Sequence, residues 1–304
     1  MLASWQQRLS QPLNSNGYTL SMNPQRLGAL QVTDSSASLA TMRRQLHDQG
    51  YLWLRGFFDR KEVLDFRHHF FSAFADTGLL AAGTDPVDGI YSGDEDKALC
   101  QKRLMELVRS AAYESFCLQP KLWRFYDALF EAPSYLHKRK IVRYTTPASS
   151  QSTAAHYDLV YLRGGTDRVY SSWIPLGDIP VEMGGLLYLE HSDQLGRQLE
   201  AEFTARNASL SPEERISAFN KNMTSGGWVS KDLPAMAEKF NSRWLAADYY
   251  AGDMVVHSAY MIHAASSNQS SEGKMRLSTD IRYQNLRDEI DARWSDHWTL
   301  EDML

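Results

Sequence analysis

The chain has 304 residues, of which 43% are hydrophobic and 23% are charged, as is typical of a globular protein with a sizeable core. A formal net charge of −5 gives no basis for binding nucleic acid or an anionic membrane surface. Two cysteines are too few for a disulfide framework, the N-terminus lacks a signal-peptide pattern, and no stretch approaches the roughly 20 apolar residues of a membrane span. We therefore expect a cytoplasmic protein without nucleic-acid or membrane partners, and the composition favours no particular oligomeric state.

The first half of the chain is predicted to be mainly helical. Its polar start predicts an arm with little structure of its own, and apolar residues then recur at helical spacing. The predicted elements are, in order, an arm over 1–35, a helix over 38–50, a strand over 51–56, a helix capped by Asp59, and helices over 97–113 and 122–130.

After Pro133 the pattern changes to short strands separated by turns. The predicted strands cover residues 140–146, 169–176, 184–190, 252–257 and 275–283. Such a series indicates an antiparallel barrel or jelly roll. We predict a single domain that comprises the arm, a mainly helical part (36–135), a barrel core (136–285) with a partly helical insertion (193–246), and a tail (286–304).

His156 and Asp158 form an H-x-D pair that follows a polar loop. On a strand, alternate side chains point the same way, so both would face one point while Tyr157 turns to the other side. An imidazole and a carboxylate aimed at one point make two thirds of the facial triad that holds non-haem Fe(II). The pair alone is a weak signal, because H-x-D occurs by chance in many proteins.

The third ligand is predicted to be one of two histidines, His257 and His263. Their offset is even, so both would share a face only on one straight strand, and the break at 258–260 argues against such a strand. We choose His263 because it meets the polar turn at 266–268. A lone histidine is more often an ordinary core or loop residue, so this choice depends on a second feature.

Arg276 and Ser278 supply that second feature, because two residues apart on a strand they face the same side. Together a guanidinium fork and a hydroxyl can bind one carboxylate. A charged arginine inside a barrel needs an anionic partner. From spacing alone, an internal ion pair of Arg276 with Asp280 or Asp253 is an equally good interpretation.

These residues together resemble the phytanoyl-CoA dioxygenase family of Fe(II)/2-oxoglutarate-dependent oxygenases, over a stretch from Gly50 to about Tyr283. The resemblance implies a mainly β double-stranded β-helix, a cupin-like jelly roll with N-terminal helices packed on one sheet. It also implies Fe(II), 2-oxoglutarate and O2, with the last two converted to succinate and CO2. The implied reaction is oxidation, most often hydroxylation, of a C–H bond in a small-molecule substrate.

The resemblance assigns the metal ligands residue by residue. His156 and Asp158 fall on the family's H-x-D ligands. His263, in a His-x4-Asn-x-Ser pattern completed by Asn268 and Ser270, falls on the distal ligand. Halogenating relatives replace the carboxylate ligand with a small residue, so the presence of Asp158 disfavours halogenation.

The resemblance also assigns the co-substrate site. Arg276 matches the arginine that binds the far carboxylate of 2-oxoglutarate, Ser278 matches its usual hydroxyl companion, and Trp173 falls on a tryptophan that lines this pocket in relatives. The spacing from His263 to Arg276 is a couple of residues longer than usual, which makes Arg282 the competing assignment. We prefer Arg276 because of its Ser278 partner.

Substrate residues are the least specified part of this prediction. Arg143, Tyr157 and Arg163 lie near the metal motif, and arginines there would suit an anionic substrate. The insertion is interpreted as a lid, a dimer contact or outer packing. Two other function classes stay open at this point: a cupin-like metalloprotein that does not use 2-oxoglutarate, and a non-catalytic scaffold barrel.

Overall fold

The computed structural model describes residues 4–147, 149, 151–217 and 228–300. Its α-helices are α1 (Ser4–Arg8), α2 (Leu39–Gln49), α3 (Arg60–Ser72), α4 (Lys97–Val108), α5 (Ala111–Cys117), α6 (Pro120–Phe130), α7 (Leu159–Leu162), α8 (Ser192–Arg206), α9 (Pro212–Ser217) and α10 (Leu233–Lys239). Its strands are β1 (Asn14–Ser15), β2 (Tyr18–Thr19), β3 (Leu27–Ala29), β4 (Tyr51–Leu54), β5 (Ser134–Leu136), β6 (Ile141–Thr145), β7 (Val169–Pro175), β8 (Leu186–Leu189), β9 (Trp244–Ala246), β10 (Met254–Ser258), β11 (His263–Ala265) and β12 (Arg276–Asn285). None of the helices in these ranges is long and apolar enough to cross a membrane.

Two sheets form the barrel. The larger has the strand order β4-β10-β7-β12-β5, with β6 also paired to β12, and the smaller has the order β11-β8-β9-β3. Side chains from both sheets meet in one buried cluster, to which the larger contributes Trp53 and Trp173 and the smaller contributes Leu186 and Tyr188. The fold is therefore mainly β with helical support, which confirms the jelly-roll prediction.

Strand β12 separates the helical layer from the barrel interior. Leu277 and Ile281 belong to the buried cluster that also contains the apolar side chains of α3 to α6. Because side chains alternate along a strand, Arg276, Ser278 and Arg282 face the opposite way, into the barrel. The helices thus cover one face of the larger sheet, and the other face is free to line a site.

The helix ends agree with the sequence prediction. Asp59 caps α3 by accepting a hydrogen bond from the backbone N–H of Glu62 at 3.1 Å. Gly50 ends α2 with φ of 79°, a left-handed conformation that glycine adopts without strain. The chain can then turn directly into β4, which pairs with β10.

Residues 1–35 differ from the arm with little structure that the sequence predicted. Strand β3 pairs in parallel with β9, with Gly28 opposite Leu245, and thereby forms one edge of the smaller sheet. Leu27 and Leu30 are buried. The prediction was wrong because the pairing partner lies far along the chain, and a polar local sequence does not reveal such a pairing.

The predicted insertion at 193–246 also differs. Helix α8, at the start of this segment, was not predicted. Helix α10 matches the helix that the sequence predicted over 233–240. Helix α9 matches part of the helix predicted over 213–219, whose end at Phe219 lies outside the described residues. Trp244 belongs to β9, within the smaller sheet, and its indole N–H donates to the carbonyl of Leu233 at 2.8 Å. Trp244 is therefore part of the barrel wall and of its packing, and it is no lid.

Candidate metal centre

Three buried side chains converge in the barrel interior: His156, Asp158 and His263. One potential ligand atom from each lies within 4.8 Å of the other two. Nε2 of His156 and Nε2 of His263 are each 3.7 Å from Oδ1 of Asp158. The two nitrogens and one oxygen thus surround a single point, as a facial set of metal ligands does.

The backbone holds the two histidines opposite each other. His156 and His263 form an isolated antiparallel bridge, in which the N–H of each donates to the carbonyl of the other at 3.0 and 2.9 Å. Their Nδ1 atoms are hydrogen-bonded at 2.9 Å to the carbonyls of Ala154 and Met261. Since a carbonyl only accepts, each Nδ1 carries the proton, and each Nε2 keeps its lone pair for a metal.

The H-x-D pair does not lie on a regular strand, in contrast to the prediction. Asp158 has helical dihedral angles, φ −65° and ψ −29°, and it immediately precedes α7. The carboxylate reaches the same point as His156 because the chain turns into the helix there, while β-strand alternation plays no part. Tyr157 nevertheless points away from the site, as its contact with α8 described below demonstrates.

The two oxygens of Asp158 have different environments. Oδ2 accepts hydrogen bonds from Ser171 Oγ and, at 3.2 Å, from Nε of Arg282, and it lies 3.5 Å from Nε2 of His257. Oδ1 is buried and has no hydrogen-bond partner within the described residues. A buried acceptor is rarely left unpaired, so Oδ1 fits a bound cation.

Burial and neighbouring charges set the protonation states of the ligands. Burial lowers the pKa of His156, and it holds the pKa of His263 well below its usual value, so both imidazoles are neutral at neutral pH. Burial raises the pKa of Asp158, but the guanidinium of Arg282 and the nearby histidines outweigh it, and the pKa lies well below its usual value. The site thus offers two neutral nitrogens and one carboxylate, a donor set that suits Fe(II).

A second group of unpaired polar atoms lies where β12 begins. Arg276 is buried, and its Nη1 donates to the carbonyl of Gly184 at 2.5 Å. In the described structure, its Nε and the Oγ of Ser278 have no partner. Burial lowers the pKa of Arg276 to about 10, so the guanidinium remains charged at neutral pH. These atoms fit the far carboxylate of 2-oxoglutarate.

The competing interpretations of these arginines can now be compared. Arg282 pairs with Asp158, which leaves Arg276 as the arginine that is free for a co-substrate. Asp253 pairs instead with Arg55, and Asp280 lies 4.0 Å from Arg143. No ion pair joins Arg276 to either carboxylate in the described part of the chain, so the internal-ion-pair interpretation is not supported.

Asn268 fixes the loop that leads to Arg276. Its side-chain amide donates to the carbonyls of Thr145 and Lys274 at 3.0 and 2.8 Å, and its Oδ1 accepts from the N–H of Ser270 at 3.0 Å. The Asn-x-Ser part of the motif therefore has a structural role. It sets the path of the chain between His263 and Arg276.

A cavity of about 480 Å³ lies next to this site. Ala265 lines it and lies two residues from His263 on β11, so both side chains are on the same face of that strand. Arg143 and Arg276 also line the cavity. Trp173 is not among the described residues that line it, because its ring packs in the barrel interior against Tyr249, with ring centres 4.7 Å apart.

Tyr157 and Arg163, two of the predicted substrate residues, are held away from the metal ligands. Both bond Glu200 on α8, Tyr157 through its hydroxyl at 2.9 Å and Arg163 through two nitrogens at 2.7 Å each. Arg163 also lies over the ring of Phe203, 3.6 Å from its centre. The structure does not support their prediction as substrate residues, because Glu200 of α8 occupies both side chains.

Three residues around Asp158 were not predicted to contribute to the site: Ser171, His257 and Arg282. A signal was present in the sequence for two of them, since Arg282 was the competing co-substrate arginine and His257 was a candidate ligand, whereas Ser171 had none. Nδ1 of His257 is hydrogen-bonded to the hydroxyl of Tyr188 at 2.8 Å, which fixes the orientation of the ring. These side chains come from separate strands, so the sequence did not indicate that they would meet.

The comparison with protein families decides the assignment. The model of the phytanoyl-CoA dioxygenase (PhyH) family matches residues 46–276. The chain belongs to this family. PhyH proteins use Fe(II), 2-oxoglutarate and O2, so the protein is a non-haem iron 2-oxoglutarate-dependent oxygenase. The alternatives of a cupin-like protein without 2-oxoglutarate and of a scaffold barrel are therefore set aside.

Individual relatives agree with this assignment. The 1-deoxypentalenic acid 11-beta-hydroxylase of Streptomyces arenae is 24% identical over 243 residues, which cover 78% of each chain. The epimerase SnoN, solved with Fe3+, alpha ketoglutarate and nogalamycin RO, is 18% identical with a TM-score of 0.54, over 85% of this chain and 89% of SnoN. The carbocyclase SnoK is 17% identical with a TM-score of 0.53, over 86% and 89%. These two PhyH-like structures share the fold with this chain.

Proposed function

We propose that this PhyH protein hydroxylates an unactivated C–H bond of a small-molecule substrate while it converts 2-oxoglutarate and O2 to succinate and CO2. One observation carries the proposal. Nε2 of His156, Oδ1 of Asp158 and Nε2 of His263 converge in the barrel interior, and Oδ1 is buried with no partner among the residues that the structure describes. Bound Fe(II), with 2-oxoglutarate and O2, supplies the oxidant that breaks the C–H bond.

The residues of the chain have separate roles in this proposal. His156, Asp158 and His263 hold the metal on one face and leave the opposite positions open. Arg276 and Ser278 bind the far carboxylate of 2-oxoglutarate, with the guanidinium as the charged partner and the hydroxyl as an added donor. Because Arg276 and Ser278 are buried, little water competes for the carboxylate, and burial therefore strengthens its pairing with Arg276.

The relatives support a small molecule as the substrate. The Streptomyces arenae relative is, by its name, a hydroxylase of 1-deoxypentalenic acid, and SnoN was solved with nogalamycin RO. SnoN and SnoK are described as an epimerase and a carbocyclase, so related barrels support different outcomes. We favour hydroxylation because the relative with the higher sequence identity is a hydroxylase.

The test is an anaerobic titration of the Fe(II)-loaded protein with 2-oxoglutarate, followed by the visible charge-transfer band of the chelate. The band should form in the wild type and should be absent in His156→Ala and Asp158→Ala. Arg276→Ala should still bind Fe(II) but should lose 2-oxoglutarate consumption. Arg168→Ala, which removes an exposed arginine paired with Asp288, serves as the matched control and should behave like the wild type.

Two outcomes contradict the proposal. If the wild type binds Fe(II) but forms no band with 2-oxoglutarate, the co-substrate assignment is wrong. If Arg276→Ala loses Fe(II) binding itself, the separate roles assigned to the metal ligands and to Arg276 are wrong.

A further inference from the structure

We propose that the substrate is an apolar small molecule with one carboxylate group, and that Arg143 binds this carboxylate in the cavity beside the metal ligands. The inference rests on the proposed function and specifies its substrate class. The observation behind it is that Arg143 and Arg276 line the same cavity, and that no carboxylate side chain of the described residues lines it.

The first step is that Arg143 has no strong partner of its own. Its nearest carboxylate is Asp280, at 4.0 Å, which is the outer limit of an ion pair. Among the described residues no hydrogen bond fixes its guanidinium, and its side chain is 42% exposed. Arg163, by contrast, is held by Glu200 through two short hydrogen bonds. Arg143 is therefore available to an anionic ligand.

The second step concerns the charge of the barrel interior. Arginines 143, 276 and 282 face it, against the carboxylates of Asp158 and Asp280. Bound Fe(II) and the dianion of 2-oxoglutarate cancel each other. Among these groups the positive charges then exceed the negative charges by one, and a substrate with a single negative charge balances them.

The third step separates the roles of the two cavity arginines. Arg276 is 4% exposed and lies beside Ser278, whose Oγ lacks a partner, so it suits the fixed co-substrate. Arg143 is more exposed, and its charge opposes that of Arg276, since it contributes to lowering the pKa of Arg276. Two repelling guanidinium groups in one cavity are both stabilised when each has its own carboxylate.

The remaining wall of the cavity exposes more apolar than polar surface, although polar residues such as Gln101, Thr153 and Asn268 also line it. Side chains from β6, from α4 and from the C-terminal segment form its apolar part, among them Leu104, Val142, Tyr144, Trp298 and Leu300. Such a wall binds a hydrocarbon body, while one charged group fixes its orientation. The volume of about 480 Å³ lies within the range of small-molecule sites. The combination fits a compact apolar acid.

The test uses a matched pair of probes, adamantane-1-carboxylate and adamantane-1-carboxamide, which differ mainly in charge. Binding is measured by calorimetry on the anaerobic Fe(II) protein saturated with 2-oxoglutarate, so that Arg276 is already occupied. The wild type should bind the carboxylate at least about tenfold more tightly than the amide, as a charge-assisted pair implies. Arg143→Gln should lose this preference, Arg143→Lys should keep part of it, and Arg168→Gln should match the wild type.

The outcomes distinguish this inference from the proposed function. If the chelate band forms but the wild type does not prefer the carboxylate, the substrate class is wrong and the proposed function stands. If Arg143→Gln loses the chelate band itself, Arg143 belongs to the co-substrate site and the inference is overturned. If no band forms in the wild type, the proposed function fails first.

Discussion

Arg282 forms an ion pair with Asp158 across the barrel interior, with its Nε 3.2 Å and its Nη2 3.1 Å from Oδ2. The side chain of Asp158 is 1% exposed and that of Arg282 is 7% exposed, so solvent screens the pair weakly. The ion pair holds the carboxylate in one orientation, with Oδ1 directed to the two histidines. The arrangement of the metal ligands therefore depends on a residue that is not itself a ligand.

Replacing Arg282 should destabilise the protein and weaken its metal site. In Arg282→Gln a buried carboxylate loses its charged partner, which typically costs about 3–5 kcal/mol. Without Arg282, burial raises the pKa of Asp158, so the carboxylate is protonated at a higher pH. As the pH is lowered, the variant should therefore lose its metal at a higher pH than the wild type does. Thermal unfolding with and without Mn(II), over a range of pH, measures both effects. An unchanged pH dependence of Mn(II) binding would contradict this role.

His257 should tune the metal site without binding the metal. Its Nε2 lies 3.5 Å from Oδ2 of Asp158, and Tyr188 fixes its ring. We expect His257→Gln to reduce Fe(II) affinity roughly tenfold, as is typical when a group that orients a ligand is removed. His263→Ala should abolish binding under the same conditions. Competition titration against a chelator compares the two variants, and equal losses would mean that His257 is a ligand.

Gly184 should be needed for the position of Arg276. Its φ is +82°, and a Cβ atom at this position would lie 2.6 Å from the carbonyl oxygen of Ser266. Gly184→Ala must therefore displace the turn, and with it the Gly184 carbonyl that accepts a hydrogen bond from Arg276. The variant should raise KM for 2-oxoglutarate and leave Fe(II) binding unchanged. Gly83→Ala is the matched control, because Gly83 has φ of +77° but its Cβ would meet nothing within 4 Å. It should show only the strain cost of about 1–2 kcal/mol.

Buried His137 should make the protein less stable in acid. Burial lowers its pKa from 6.5 to about 4, and its Nε2 is hydrogen-bonded to Gln284 at 2.8 Å. The unfolded chain then binds the proton more readily, so stability is full above about pH 6.5 and falls as the pH drops towards 4. The loss should be on the order of 3 kcal/mol, at about 1.4 kcal/mol per pKa unit.

Urea unfolding between pH 7 and pH 4 measures the contribution of His137. The slope of stability against pH should be reduced in His137→Gln. It should be retained in His47→Gln, since the His47 side chain is 78% exposed. If His137→Gln keeps the slope of the wild type, other groups cause the acid sensitivity.

The sequence by itself determined the features that depend on short spacing. His156 and Asp158 are two residues apart, as are Arg276 and Ser278, and the structure brings both pairs to the barrel interior, the first pair through the turn into α7 and the second through strand alternation. The period-two patterns of the strands and the helix cap at Asp59 are also local properties, so they were predicted correctly. The family resemblance, carried by the same short motifs, was confirmed by the family comparison.

Only the tertiary structure decided which other side chains reach the site. Ser171, His257 and Arg282 come from three strands to one oxygen of Asp158, while Tyr157, which lies between the first two ligands, is held by α8. The β3 pairing with β9 joins two distant segments in the same way. Such contacts depend on strand register and on burial in the assembled barrel, and no local pattern in the chain contains that information.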